Sequence, residues 1–508
     1  MPPKLAAQWA PLRQAFASQR PRFVARGFEG TRCYGAYTWL TRTSEAWSDD
    51  EFFASLPTEP FERASSSTSV PVLLVTPKFA HYLDPTHTFL EKLINTLYTS
   101  SPQPRDRIYA LAAIVDKIPN VAAASSNPRE AEYEGLSLLI AEEEDLKWEA
   151  APPRRIGGPS GEEASLSIVV RDKQTSHNPQ GPAHEVGLRL ANTVFVNAKE
   201  RTLLGMYWTT NQNGQSTKHT LKKMADLTSC SISTGQTNIT SALTLPLYPV
   251  GKRRTVITGM GNILRQLSKS PDSTSSEPMP ASTELEKELP RYIEEHNIAD
   301  KRVSVWALVE TPDTNIAERP SSTNDRLSQA LRQGAKLHRV MSGGGGWGKK
   351  QGLLSLDPEV SFPSLVRAKS SIGLDHIFHQ TDDAELEMPP IFLENGLIGE
   401  DLSHLSQVAN PGDYIQFFVS VQPKDLQGAQ EITNERESNV SFAFGVMSDI
   451  ENADANCGKE GIISVPNGFG ALSEKAITYS QPVSQAGRSI ESGTKLDIPG
   501  CRVILESR

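Results

Sequence analysis

The sequence predicts an α/β protein over its N-terminal and middle regions, with mixed or mainly parallel sheets, followed by a C-terminal β-rich module. Three observations predict it. Strand-like and helix-like runs alternate between Val70 and Ala141; a glycine-rich segment follows the strand-like run Leu337–Met341; and from residue 360 short apolar runs separated by Gly, Pro and Asn replace helical patterning. The chain has 508 residues, which suggests about three domains. The composition shifts divide it into residues 60–175, 176–355 and 360–508, after a separate segment 1–34.

In chain order, Val70–Val75 is an apolar run short enough for a buried strand. Asp84-Pro85-Thr86 then predicts a helix over about Thr86–Leu97, with Asp84 as N-cap and Pro85 at the first helical position. Arg107–Asp116 and Gly135–Ala141 read as strands, and strand, helix, strand marks a parallel crossover unit. Beyond the turn-rich connection Ala151–Pro159, Ser165–Arg171 is strand-like, and Leu188–Val196 with Arg201–Trp208 predicts a hairpin. Arg254–Thr258 is a strand leading through Gly259-Met260-Gly261-Asn262 into a helix over Ile263–Lys269. Helices over Thr283–His296 and Asn324–Gln333 and a strand over Val303–Val309 follow. The segment Ser268–Ala281 reads as a loop. Tyr414–Val421, Asn439–Met447 and Cys501–Glu506 are the clearest strands of the β-rich module.

No run of about 18 apolar residues is present, so no transmembrane helix is expected. The four cysteines, Cys33, Cys230, Cys457 and Cys501, form no CxxC pair and read as reduced thiols. The first 34 residues hold six basic side chains and one acid, and Leu5, Trp9, Leu12 and Phe16 recur at helical spacing. A basic amphipathic helix of this kind predicts a presequence and a location in the mitochondrial matrix. Arg32-Cys33-Tyr34 before Gly35 resembles a matrix-peptidase cleavage pattern. The whole chain carries a formal charge of −9, yet residues 201–350 hold 20 Lys and Arg against 13 Asp and Glu, and residues 351–508 hold 10 against 23. A polyanion is therefore expected to dock in the middle and a protein partner at the acidic C-terminal module.

Ser342–Gly352 contains six glycines in eleven residues, and each costs roughly 0.5 to 1 kcal/mol more than alanine to order. In α/β proteins ligands bind at the carboxyl ends of strands, which is where this segment is predicted to lie. Gly343, Gly344, Gly345, Gly346, Trp347, Gly348, Lys349 and Lys350 match the G-x4-G-K spacing of a phosphate loop, but Lys350 stands where Ser or Thr would hold magnesium. The letters fit a backbone anion cradle with Trp347 as a stacking face, or a tight loop whose tryptophan plugs a core. Gly259 and Gly261, at the predicted strand-to-helix turn, would repeat that chemistry with Lys252, Arg253, Arg254 and Arg265 around them. His376 and His379 with Asp375, Asp382 and Asp383 have metal-ligand types without defined geometry, and Cys230 reads as a small buried residue. No catalytic or cofactor signature is present.

The blocks Ser342–Pro358 and Ile257–Leu267 resemble an uncharacterised family of fungal mitochondrial proteins, and the alternation from Val72 to Ala141 is similar in pattern to the opening of FIST-type ligand-sensing domains. The first resemblance implies a compartment and no activity. Beside a purely structural partner protein, which a buried Trp347 with dispensable Lys349 and Lys350 would imply, two functional readings follow from the residues. One is a non-enzymatic matrix protein that binds RNA or a ribonucleoprotein through its basic middle region; the other is an enzyme or sensor for a small phosphorylated ligand at the glycine-rich loops.

Overall fold

Apolar runs of five to ten residues bounded by Gly, Pro and Asn become strands almost throughout this chain, and the helices are few. The computed structural model describes residues 35–42, 47–56, 69–98, 106–120, 132–150, 164–172, 183–190, 202–213, 216–271, 277–298, 303–314, 320, 322–343, 352–360, 377–378, 407–421, 440–448, 461–485 and 488–507. The first part comprises β1 (Ala36–Thr41), α1 (Asp49–Ser55), β2 (Ser69–Val75), a 3-10 helix (Pro77–Leu83), α2 (Thr88–Tyr98), β3 (Arg107–Ile114), β4 (Ile118–Pro119), β5 (Glu132–Glu142) and β6 (Leu146–Ala150). Strands β7 (Ser165–Asp172), β8 (Ala183–Arg189), β9 (Leu203–Asn213), β10 (Ser216–Gln236), β11 (Thr240–Thr244), β12 (Tyr248–Met260), β13 (Ile263–Ser268) and β14 (Pro278–Pro280) follow, then α3 (Thr283–Glu295), β15 (Val305–Glu310), α4 (Thr323–Arg332), β16 (Lys336–Gly343) and β17 (Leu354–Leu356). The rest is β18 (Tyr414–Val419), β19 (Val440–Val446), β20 (Ile463–Pro466), β21 (Gly468–Ser473), β22 (Ile477–Gln485), β23 (Arg488–Leu496) and β24 (Arg502–Ser507).

The described chain is thus mostly β, which corrects the α/β expectation for the middle region. The predicted crossover is present: β2 and β3 pair in parallel, from Val72↔Leu111 to Val75↔Ile114, with α2 between them. Helix α2 starts two residues later than expected, because Asp84 Oδ1 accepts from the Thr86 amide (3.0 Å) and hydroxyl (2.8 Å) and forms a local turn instead of a cap. Most of the first arm and the loop of the predicted hairpin, residues 191–201, lie outside the described residues; β9 pairs with β3 and β10, and β8 with β7 and β22. Thr283–Glu295 and Thr323–Arg332 are helices as predicted. Ile263–Lys269 is not a helix but strand β13, in antiparallel register with β12.

Three sheets result among the described residues. The largest runs β20-β1-β5-β2-β3-β9-β10-β7-β8-β22-β23, with β4 on β5 and β6 on β10; a four-stranded sheet runs β11-β24-β19-β21. The third closes on itself. Its order is β12-β18-β15-β16-β17-β13, β13 returns to β12, and every pairing is antiparallel, so six strands form a barrel with β14 added outside β13. Closure removes the exposed edges that an open sheet of this size would carry. The C-terminal part is β-rich as expected, and its strands are shared among the sheets: β18 lies in the barrel, β20 pairs with β1 and β22 with β8.

The period of two along each strand explains why the apolar runs are continuous instead of alternating. On β15, Val305, Ala307 and Val309 face the barrel interior, while Trp306 and Leu308 join the core under the large sheet. On β2, Leu73 and Val75 pack beneath α1 and α2, while Val72 and Leu74 face the same central core. Both faces are buried. The barrel is fixed to the large sheet by Trp306, whose indole donates to Asp497 Oδ1 at 2.7 Å, and by Lys495, 2.8 Å from Asp357 and 2.6 Å from Glu359. No helix among the described residues is long and apolar enough to cross a membrane.

Arg502 is fully buried, and its Nη2 lies 2.7 Å from Glu132 Oε1. That oxygen also accepts from the Ser448 amide (2.9 Å) and hydroxyl (2.8 Å), so β24 is tied to β5. Glu132→Ala, which removes a carboxylate that pairs with a buried cation, is expected to lower the free energy of unfolding by about 3 to 5 kcal/mol, measured as a shift in denaturation midpoint.

Candidate functional site

The sequence-predicted anion residues lie on the barrel, and the structure commits several of them elsewhere. Gly259 and Met260 end β12, Gly261 adopts φ +58° in the two-residue turn, and β13 follows. The expected helix N-terminus is therefore absent, because the apolar positions Ile263, Leu264 and Leu267 are read by a bulged strand pair. Arg253 Nε is 2.6 Å from the fully buried Glu310, and its guanidinium stacks 3.7 Å above Tyr414. Arg254 meets Glu284 through Nε (2.8 Å) and Nη2 (2.6 Å), and its Nη1 donates to the carbonyls of Ser268 (3.1 Å) and Lys269 (2.5 Å). Both charges are balanced within the barrel wall. Lys252 and Arg265 are exposed, and neither side chain has a hydrogen bond or ion pair among the described residues.

Gly343 is the last residue of β16 and pairs with Leu354. Gly344, Gly345, Gly346, Trp347, Gly348, Lys349 and Lys350 lie outside the described residues, as do His376 and His379. Strand β17 separates β16 from β13, and because Leu354 pairs with both Gly343 and Leu264, the end of β16 lies level with the start of β13, one strand across from the Gly261 turn. Both neighbours of β16 are antiparallel to it, so the rule that places ligands at carboxyl ends of parallel strands does not reach Gly343.

That rule does reach β2 and β3. The apolar run of β3 ends in Val115, whose amide donates to Val75 O (2.9 Å), and the next two residues are Asp116 and Lys117. Beyond Val75, Thr76 exchanges hydrogen bonds with Gly135 of β5, its amide to Gly135 O (3.1 Å) and Gly135 N to its Oγ1 (3.1 Å). Gly135 has φ +151°, and a Cβ there would stand 2.0 Å from Trp39 O, so only glycine lets β1 and β5 close at this point. This closure sets Glu134 beside the two strand ends. Lys117 Nζ lies 2.5 Å from Glu134 Oε1, and Lys78 Nζ, half exposed, lies 3.7 Å from the same atom. Glu134 is 5% exposed, and its Oε2 has no hydrogen-bond partner among the described residues.

Asp116 Oδ2 accepts from the Glu474 amide at 2.7 Å. Burial, helped by the Glu474 charge, pushes its carboxyl up to about 6 against that hydrogen bond and the charges of Lys475 and Lys117. The constellation joins a carboxyl that changes protonation near neutrality, a fixed lysine–glutamate pair and a loosely held ammonium. A carboxyl perturbed in this way, beside charged side chains at strand ends, is a candidate functional group. None of the four was singled out in the sequence, although Asp116-Lys117 directly after a crossover strand was the available signal.

Elsewhere, Cys230 and Cys501 are buried, and burial raises both thiols, Cys501 to about 12, which leaves them without nucleophilic character near neutrality. Among the described residues no group of three or more His, Cys, Asp or Glu is placed to hold a metal ion. No family model, no curated protein and no solved structure matches the chain.

Arg254→Met is expected to destabilise the fold by about 3 kcal/mol or more, because it leaves the buried Glu284 unpaired; chemical denaturation reads this directly. The native Asp116 value, near 6, lies above the ordinary 3.8. Its contribution to stability is therefore complete below about 3.8 and is lost as pH rises through about 6. Asp116→Asn should accordingly gain of order 2 kcal/mol over the wild type at pH 7, with the gain vanishing near pH 4, in paired melting curves across that range.

Proposed function

We propose that the protein is a small-ligand-binding protein of the sensor or enzyme class, acting in the mitochondrial matrix that its first 34 residues predict, with its ligand at the carboxyl ends of β2 and β3. The observation that carries this reading is the arrangement of Lys78, Asp116, Lys117 and Glu134 at the one strand–helix–strand crossover that the sequence predicts and the fold contains. Lys117 is spent on Glu134, but Lys78 stands 3.7 Å away and half exposed, free to turn toward a carboxylate or phosphate. Asp116 then offers a proton donor or acceptor beside the bound anion. The RNA-binding reading draws less support, since Arg253 and Arg254, two cations it relied on, neutralise Glu310 and Glu284.

The test is a thermal-shift screen of nucleotides, phosphorylated metabolites and small carboxylates at pH 7, with calorimetry on each stabiliser. A ligand at one hundred times its Kd should stabilise the wild type by about 2.7 kcal/mol. Lys78→Ala, which removes a charge-assisted contact, should weaken its binding about tenfold or more. A screen without stabilisers, or a ligand bound equally by the variant, would count against the site.

A further inference from the structure

A second pair of parallel strands ends elsewhere in the large sheet. Strands β7 and β10 pair from Ser165↔Ser229 to Asp172↔Gln236 and finish together. His184, near the start of β8, lies opposite Val170 of β7. Its Nδ1 is 2.9 Å from the hydroxyl of Tyr479 on β22, and Tyr479 is 1% exposed. The Tyr479 hydroxyl donates to Gln481 Oε1 at 3.3 Å. A phenol has a single proton, so toward His184 the same oxygen can only accept. The ring proton of His184 therefore sits on Nδ1 and the lone pair on Nε2.

Among the described residues Nε2 has no partner, and His184 is partly exposed, so that lone pair is not sealed into the core. A cation stands close by. Exposed Arg332, which ends α4, donates Nη2 to Ser241 O at 2.9 Å, and the Ser241 side chain is hydrogen-bonded to Tyr479. Burial and then the Arg332 charge hold the imidazole down to about 4, against the opposing charge of Asp172. The ring is neutral from pH 5 upward. The ring is braced through Nδ1 by a buried phenol and, among the described residues, leaves Nε2 unpaired.

We propose that His184 Nε2 and Arg332 form a second ligand site, at the carboxyl ends of β7 and β10, for a small molecule that presents an O–H or N–H donor next to an anionic group. The imidazole accepts the donor's hydrogen, as a hydrogen bond or as a transferred proton, and the guanidinium meets the anion. This site shares no residue with the cluster at β2 and β3 and stands independently of it.

Carbethoxylation by diethyl pyrocarbonate, followed by peptide mass spectrometry on the full chain, reads the availability of Nε2. His184 should be modified at a rate that changes less than about twofold between pH 5.5 and 7.5, whereas a histidine of ordinary acidity slows about tenfold over that range. Inorganic phosphate, which carries both an O–H and a negative charge, should slow the modification in the wild type and not in Arg332→Ala. Because Arg332 is exposed, that variant keeps the fold. An unmodified His184, an ordinary pH profile, or phosphate protection that is absent or identical in the variant would overturn the proposal.

Discussion

The pairing of Arg502 with Glu132 is the constraint around which the two open sheets are arranged. The guanidinium is wholly buried, and its Nη1 also reaches the carbonyls of Val446 (2.5 Å) and Cys501 (2.9 Å). Removing a charge of that size from water is costly unless its partners are in place. Those partners come from β5, from the end of β19 and from the residue before β24, so the four-stranded sheet can take few orientations against the large one. Hydrophobic residues of both sheets then fill one continuous core, with Phe442, Phe444 and Val503 on one side and Leu139 and Ile118 on the other. The ion pair sets the geometry, and the apolar area supplies the stabilisation.

The same logic governs the unequal distribution of charge along the chain. Basic residues of the middle region and acidic residues near the C-terminus look, in one dimension, like surfaces for two different partners. In the fold several of them meet one another or their own neighbours: Arg339 lies 3.5 Å from Asp497, Arg253 and Arg326 share Glu310, and Arg291 pairs with Glu288 and Glu295. Part of the apparent field is internal complementarity that holds the barrel wall and its contact with the large sheet.

What could be read from the letters follows the range of the interactions. The crossover β2, α2, β3 was legible because apolar runs, a turn and an amphipathic helix succeed one another within about fifty residues. The strand β13 was misread because a register shift spaces Leu264 and Leu267 three apart, as a helix would. The partners of β9 were not legible for a different reason: it pairs with β3 and β10, and sequence alone favours the nearest strand. Arg254 looked available because Glu284, thirty residues on, cannot be assigned to it without the barrel. The candidate site was missed through a correct rule applied to the wrong strand, since parallel and antiparallel neighbours leave the same pattern of buried positions once both faces are covered.

Strand β24 lies between β11 and β19 inside its sheet, with Val503 and Leu505 in the common core. Neither neighbour can complete its ladder until residue 507 has been synthesised, so the central core cannot close while the ribosome is still translating the strands that surround it. The shared core therefore closes only after the last strand is made, whereas every strand of the barrel precedes residue 420 and can pair before it.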